Sequence, residues 1–257
     1  MQDSGAESVR TALITGNSSG LGLGLTRVLG RQGTAVYGLS RRGCPDPVAG
    51  DVRVDLAEHD RIAPALGRLL EGVEQLDLVV LNAGILGRIQ RMQDADLAEL
   101  KQGMDVNVWA NKVILDELLR RRQPVGQIVA ISSGAAVFGS RGWSGYALSK
   151  AALNMLVQLY AHEFPGTPVH SLAPGLVETA MQDYLCEEAD AGAFPGLERL
   201  RKARGTDDMP GPEAAAQQVL DSLAALRAEP SRHFVDLRAL RDPDAYQRLL
   251  ASKAAER

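Results

Sequence analysis

The sequence predicts a single α/β unit, a doubly wound sheet of about seven parallel strands flanked by helices. Three observations predict it. Short apolar runs alternate with longer amphipathic stretches from Thr11 almost to the end, the pattern of strands joined by crossover helices. The longer stretches place apolar residues at three- and four-residue intervals, one face for a sheet to cover. A length of 257 residues suits one such sheet with one large core, so residues 10–257 are expected to form one domain behind a flexible tail at 1–9.

Strands are expected at Ala12–Thr15, Ala35–Ser40, Val52–Asp55, Leu78–Asn82, Gln127–Ser132, Val169–Ala173 and His233–Leu237, and helices beginning near Leu21, Glu58, Leu97, Ser144 and Glu213. Between the second and third strands, Gly43, Pro45, Pro47 and Gly50 favour an irregular connection over a helix. Residues 180–210, with Pro195, Gly196 and Gly205, break the alternation and form an insertion that could act as a substrate lid.

Composition narrows the partners. A formal net charge of -4 with no basic patch argues against nucleic acid. The cluster Arg120-Arg121-Arg122 suits a helix C-terminus. Cys44 and Cys186 follow no metal or redox spacing, and His59, His162, His170 and His233 form no ligand pair, so no metal is expected. No run approaches the ~18 apolar residues of a membrane span, and the start is polar, so a cytoplasmic protein with no membrane partner is expected.

Chemistry enters at Thr15-Gly16-Asn17-Ser18-Ser19-Gly20-Leu21-Gly22, directly after the first strand and opening a helix. Glycines there let the backbone approach a pyrophosphate at a helix N-terminus, the dinucleotide site of a Rossmann-type sheet, although the spacing differs from Gly-x-Gly-x-x-Gly. The second strand ends in Ser40-Arg41-Arg42, where an acidic residue would hold the ribose of NAD. A guanidinium can instead grip a 2′-phosphate and stack on adenine, so Arg41, with or without Arg42, argues for NADP(H) over a merely exposed basic pair, and Ser18 and Ser40 could add hydroxyl contacts. Asp55-Leu56 and Asn82-Ala83-Gly84 close the third and fourth strands at the same carboxyl edge and point at the cofactor.

Tyr146-Ala147-Leu148-Ser149-Lys150 opens a helix and puts phenol and ammonium on one face. A fixed cation there would lower the tyrosine pKa from about 10 and make acid–base chemistry accessible. Ser133, at the end of the fifth strand, could donate to a substrate carbonyl oxygen. With these residues, the chain resembles the short-chain dehydrogenase/reductase family from about Leu13 to Thr179, in the glycine turn, Asn82-Ala83-Gly84, Asn107, Ser133, Tyr146, Lys150 and Pro174-Gly175. The resemblance implies hydride transfer from nicotinamide to a carbonyl carbon, with Tyr146 supplying the proton and Ser133 holding the oxygen. It further implies that Lys150 holds the nicotinamide ribose, that Asn107 anchors a water for proton resupply, and that Pro174, Gly175, Val177 and Thr179 cover the nicotinamide. Leu81 departs from the family's Asn-Asn-Ala-Gly.

Ser132-Ser133 lacks the Gly-x-Ser-x-Gly elbow of a serine hydrolase. A non-enzymatic NADPH sensor would not need Tyr146, Ser133 and Lys150 together. On the substrate side, Val137, Phe138 and Trp143 could meet an apolar or aromatic ketone or pack in the core. Thr179-Ala180-Met181-Gln182, Ser132-Ser133-Gly134-Ala135 and Asn154-Met155 are more specifically similar to sepiapterin reductase and bacterial benzil reductases. That similarity marks Met181, Gln182 and, as a pterin-holding carboxylate or a mere surface acid, Asp236. It implies a small-molecule substrate with a vicinal dicarbonyl or α-hydroxyketone unit, and a homodimer or homotetramer through the helices near 100–122 and 144–163.

Overall fold

The structure is a computed structural model that describes residues 9–230 and 234–255; most of the expected tail, and His233 at the head of the expected last strand, lie outside them. Seven strands, β1 (Thr11–Thr15), β2 (Ala35–Ser40), β3 (Gly50–Arg53), β4 (Leu78–Leu81), β5 (Ile128–Ile131), β6 (Val169–Ala173) and β7 (Phe234–Asp236), pair in the order β3-β2-β1-β4-β5-β6-β7. Every pairing is parallel. The inner strands β4, β5 and β6 are buried at every position, as a parallel sheet covered on both faces requires.

The pleat sorts side chains between two cores. Leu13, Val79 and Leu81 pack on one face against Ile62 and Leu66 of α2 (His59–Leu69), Ile114 and Leu118 of the helix Ala110–Arg120, and Leu153 and Val157 of the helix Ser144–Tyr160. Ala12, Ile14, Leu78 and Val80 pack on the other against Leu25 and Leu29 of α1 (Gly20–Arg31), with Ala215, Val219 and Leu226 from the chain after residue 211. Strand order reverses between β1 and β4, which opens a crevice at the carboxyl ends of these two strands.

The predicted helices form, and the 41–49 connection contains none. After α3 (Leu97–Met104) the chain makes one π-helical turn at Asp105–Trp109 and continues as α4 (Ala110–Arg120), so Asn107 sits on a bulge inside one long helical run. The helix carrying Tyr146 is α5 (Ser144–Tyr160). The insertion folds into α6 (Ala180–Asp183), a second π turn at Tyr184–Glu188 and α7 (Gly196–Ala203). It has its own small core of Leu185, Phe194, Leu197 and Leu200, and Arg204 bonds to Asp183 and Glu187. Helices α8 (Pro212–Asp221), α9 (Leu223–Ala228), α10 (Leu237–Arg241) and α11 (Pro243–Ala255) complete the chain. Among the described residues no helix is long and apolar enough to cross a membrane.

Most strand bounds fall within one residue of expectation, and the third strand departs furthest. The sequence places the third strand at Val52–Asp55, where the apolar residues lie, but the ladder runs from Gly50 to Arg53. It is an edge strand, so its extent follows hydrogen bonding to β2, from Tyr37↔Gly50 to Ser40↔Arg53, and not burial.

Candidate active site

The turn after β1 is shaped by two left-handed glycines, Gly16 at φ 70° and Gly20 at φ 54°. Gly16 N–H donates to the Leu39 carbonyl at 2.9 Å, seating the turn on β2. Thr15 Oγ1 accepts from the backbone N–H groups of Asn82 and Ala83 at 2.9 and 3.0 Å, and Asn82 Nδ2 donates to the Thr15 carbonyl at 2.9 Å, so the ends of β1 and β4 are tied together. Gly22 does not face the crevice. A side chain there would run into the Gly16 carbonyl oxygen and Asn82 Nδ2, so this glycine lets α1 close on the turn. Ser19, the N-cap of α1, makes no side-chain capping bond, which leaves the first-turn N–H groups directed at the crevice.

From this turn a cleft of about 430 Å³ runs along the sheet edge. Gly16, Ser18, Ser19, Gly20 and Leu21 line its start; Ser40, Arg41 and Arg42 line the β2 side; Asp55, Leu56, Asn82, Ala83 and Gly84 follow. Arg42 donates to Ser19 Oγ at 2.8 Å, so the second arginine reaches back over the glycine turn. Neither Arg41 nor Arg42 pairs with a carboxylate among the described residues. Open N–H groups, glycine backbone and two guanidinium groups at one end of a cleft fit a phosphorylated dinucleotide.

At the other end lie Ser133, Tyr146 and Lys150, followed by Pro174, Gly175, Val177, Thr179, Met181 and Gln182. Ser133 leaves β5 in extended conformation and caps a short 3-10 turn at Gly134–Ala136, its Oγ accepting from Ala135 N–H at 3.1 Å. It lines the cleft with Tyr146 and acts on the phenol as a hydrogen-bonding neighbour that lowers its pKa. Lys150 is buried and donates to the Ile131 carbonyl at 2.7 Å, with Nζ 5.7 Å from the Tyr146 ring centre. Asn107 lies just behind the cleft. Its Oδ1 accepts from Ile85 N–H at 2.8 Å, and its Nδ2 donates to the Ile85 carbonyl and to Ser149 Oγ, both at 2.9 Å. A Cβ on Gly84 would stand 3.1 Å from Asn107 Oδ1 and 3.3 Å from Lys150 Nζ, so this glycine gives both side chains their room.

Electrostatics correct one expectation. Lys150 does not dominate the Tyr146 hydroxyl: burial pushes the phenol above its ordinary value, and the bond from Ser133 pulls the other way. Burial acts on Lys150 too, lowering its ammonium to about 8. The tyrosine is thus held protonated, as a proton donor must be, beside a lysine whose charge is lost in mildly basic solution.

Trp143 lines the cleft beside Tyr146, the two ring centres 6.1 Å apart. Phe138 lines a neighbouring vestibule and Val137 is exposed. Asp236 is placed differently. It is buried, caps α10 by accepting from Arg238 N–H, and pairs with the Arg238 guanidinium through bonds of 2.8 and 2.6 Å, away from the residues that line the cleft. Leu81, the departure from Asn-Asn-Ala-Gly, is buried in the core beneath the sheet and does not reach the cleft.

Sequence reasoning missed the supports. Asn154 accepts a 2.6 Å bond from Ser132 Oγ and so steadies the residue before Ser133. Asn17 is buried under the turn and donates to Asp51. Gln102, Val106, Ile85 and Leu185 also line the cleft. Asn17, inside the glycine motif, and Asn154, in the pair Asn154-Met155, had visible signals; the others depend on how distant segments meet at the sheet edge.

Residues 10–190 match the short chain dehydrogenase family. An uncharacterized oxidoreductase of Schizosaccharomyces pombe is 32% identical over 202 residues, 73% of this chain and 78% of that protein. The benzil reductase ((S)-benzoin forming) of Saccharomyces cerevisiae is 31% identical over 229 residues, 80% of this chain and 87% of its own. Among solved structures, a short chain dehydrogenase from Burkholderia cenocepacia in complex with NADP superposes with a TM-score of 0.70 at 23% identity, covering 88% of this chain and 94% of that one. The family match, the relatives and the seven-stranded parallel sheet agree: this chain belongs to the short-chain dehydrogenase/reductase family of oxidoreductases.

Proposed function

We propose that residues 10–257 act as one NADPH-dependent carbonyl reductase, which reduces a ketone within a vicinal dicarbonyl or α-hydroxyketone unit to the alcohol. The observation that carries this reading is one cleft lined by Ser133, Tyr146 and buried Lys150 at one end and by Arg41 and Arg42 at the other. Support for the substrate class comes from the benzil reductase relative and from Asp236, which is committed to Arg238 and so favours a diketone over a pterin.

When bound, NADPH supplies a hydride for the carbonyl carbon. Arg41 and Arg42 hold its 2′-phosphate, and the glycine turn and the start of α1 receive its pyrophosphate. Ser133 donates to the carbonyl oxygen and polarises it. Tyr146 transfers its hydroxyl proton to that oxygen as charge develops. Lys150, while protonated, stabilises the phenolate left behind, and Asn107, fixed by Ile85 and Ser149, sets the helix geometry behind the pair. Pro174, Gly175, Val177 and Thr179 close over the nicotinamide end, and Trp143, Met181 and Gln182 meet the substrate.

The free thiols Cys44 and Cys186 accord with a reducing cytoplasm. Exposed Leu148, Met155 and Leu159, spaced along α5, and exposed Trp109 at the head of α4 offer an apolar face for a homodimer or homotetramer.

The test is loss of cofactor absorbance with benzil and smaller vicinal diketones, comparing NADPH with NADH. The reading expects NADPH to be preferred, and Arg41→Ala/Arg42→Ala to raise the KM for NADPH by about tenfold or more while changing that for NADH little. Tight NADPH binding with no turnover of any dicarbonyl would favour a sensor instead.

A further inference from the structure

Beyond Ser133 the cleft does not close. A vestibule of about 1030 Å³ continues from it, sharing Ser133, Trp143, Gly175 and Leu176 with the cofactor cleft. Its walls come from Gly134, Ala135 and the stretch 138–141, the start of α7 and Arg238. Three arginines, Arg141, Arg199 and Arg238, line it, and among the described residues no aspartate or glutamate does, in a chain whose net charge is -4.

Arg238 is a fixed group. Asp236 holds its Nε and Nη2 at 2.8 and 2.6 Å, and the Tyr246 ring backs it with Cζ 5.9 Å from the ring centre. The Nη1 edge carries no bond among the described residues, and Nη2 lies 3.8 Å from where a Cβ on Gly134, the residue after Ser133, would stand. Asp236 balances its charge, so Arg238 contributes oriented donors while exposed Arg141 supplies positive potential. A preorganised guanidinium edge on the wall of a recess matches a carboxylate better than it matches a neutral carbonyl.

We propose that this vestibule selects oxo acids, carbonyl compounds whose carboxylate is held by Arg238, with Arg141 on the same wall, while the reacting carbonyl reaches Ser133 and Tyr146. The inference rests on the reductase reading of the cleft and gives the substrate its anionic end. Phe138 and Trp143 then flank the apolar part between the two ends.

The experiment reads binding alone, so a failure of catalysis cannot imitate a failure of recognition. Protein saturated with NADP+ is titrated calorimetrically, at low and at high salt, with benzoylformate and its methyl ester, and with a phenyl ketone acid of longer chain and its ester. At least one acid is expected to bind about tenfold or more tighter than its ester at low salt, with the advantage shrinking as salt rises. Arg238→Met alone would strand a buried carboxylate, so the variant is Asp236→Asn/Arg238→Met, which retains a side chain able to cap α10. It should bring acid and ester to within about twofold of each other, and exposed Arg141→Met, which touches no core, should reduce the preference partway. Acids that bind no better than their esters at either chain length, or a preference that survives both variants, would overturn the proposal.

Discussion

Lys150 donates to the Ile131 carbonyl in a buried position, and that position sets the pH behaviour of the site. Reduction needs Tyr146 protonated and Lys150 charged. Burial raises the tyrosine, so its proton stays on in basic solution, but lowers the lysine to about 8. As pH rises, the lysine charge goes first. We expect kcat/KM for ketone reduction to be level below this pKa and to fall above pH about 8, about tenfold per unit once the lysine is neutral; a profile level well beyond it would show that the ammonium takes no part. The identities of these residues were legible, because Tyr146 and Lys150 are one helical turn apart and Ser133 ends an apolar run. The balance between charge and burial was not, since desolvation depends on residues as distant in sequence as Ile131. Asp236 shows the same limit: its pairing with Arg238 two residues on could have been proposed from sequence, but its burial depends on where β7 joins the sheet.

The glycine turn and α1 behave as one element. Gly22 allows the helix to close on the turn and Gly24 allows α1 to lie against the backbone of Pro212 at the start of α8, so neither contact tolerates a side chain. Gly22→Ala is expected to cost about 1–3 kcal/mol of stability by overpacking and to weaken NADPH binding together with it. Thermal unfolding and a fluorescence titration check both; an unchanged Tm with unchanged affinity would contradict the account. Elements with strong periodicity or a motif, such as α1, α5 and β1, were readable because local pattern and tertiary burial agree there. The π turn at Asp105–Trp109 and the helices of the 180–210 insertion were not. The first looks like ordinary helix in sequence, and the second owes its shape to a satellite core, in which Phe194 and Leu197 meet Ile89 and Trp143 from other parts of the chain.

Taken whole, the molecule is a sheet buried on both faces with its chemistry at the carboxyl edge, and that much follows from the alternation of apolar runs and helices. Its outer surface is less regular. Leu159 is 59% exposed and Met155 54% exposed on α5, the helix that carries Tyr146 at its other end. Light scattering after size exclusion is expected to give a dimer or tetramer mass, and Leu159→Glu should shift it toward monomer, because a charge on each copy would have to be desolvated in the shared face. A monomer mass for the unaltered chain would remove the assembly. The central claim, that Tyr146 delivers the proton in a carbonyl reduction, is tested most directly by Tyr146→Phe under single-turnover conditions with saturating NADPH and a vicinal diketone. The account predicts NADPH affinity within about twofold of the original and a reduction rate lower by about a hundredfold or more; a variant that reduces the diketone at the original rate would contradict it.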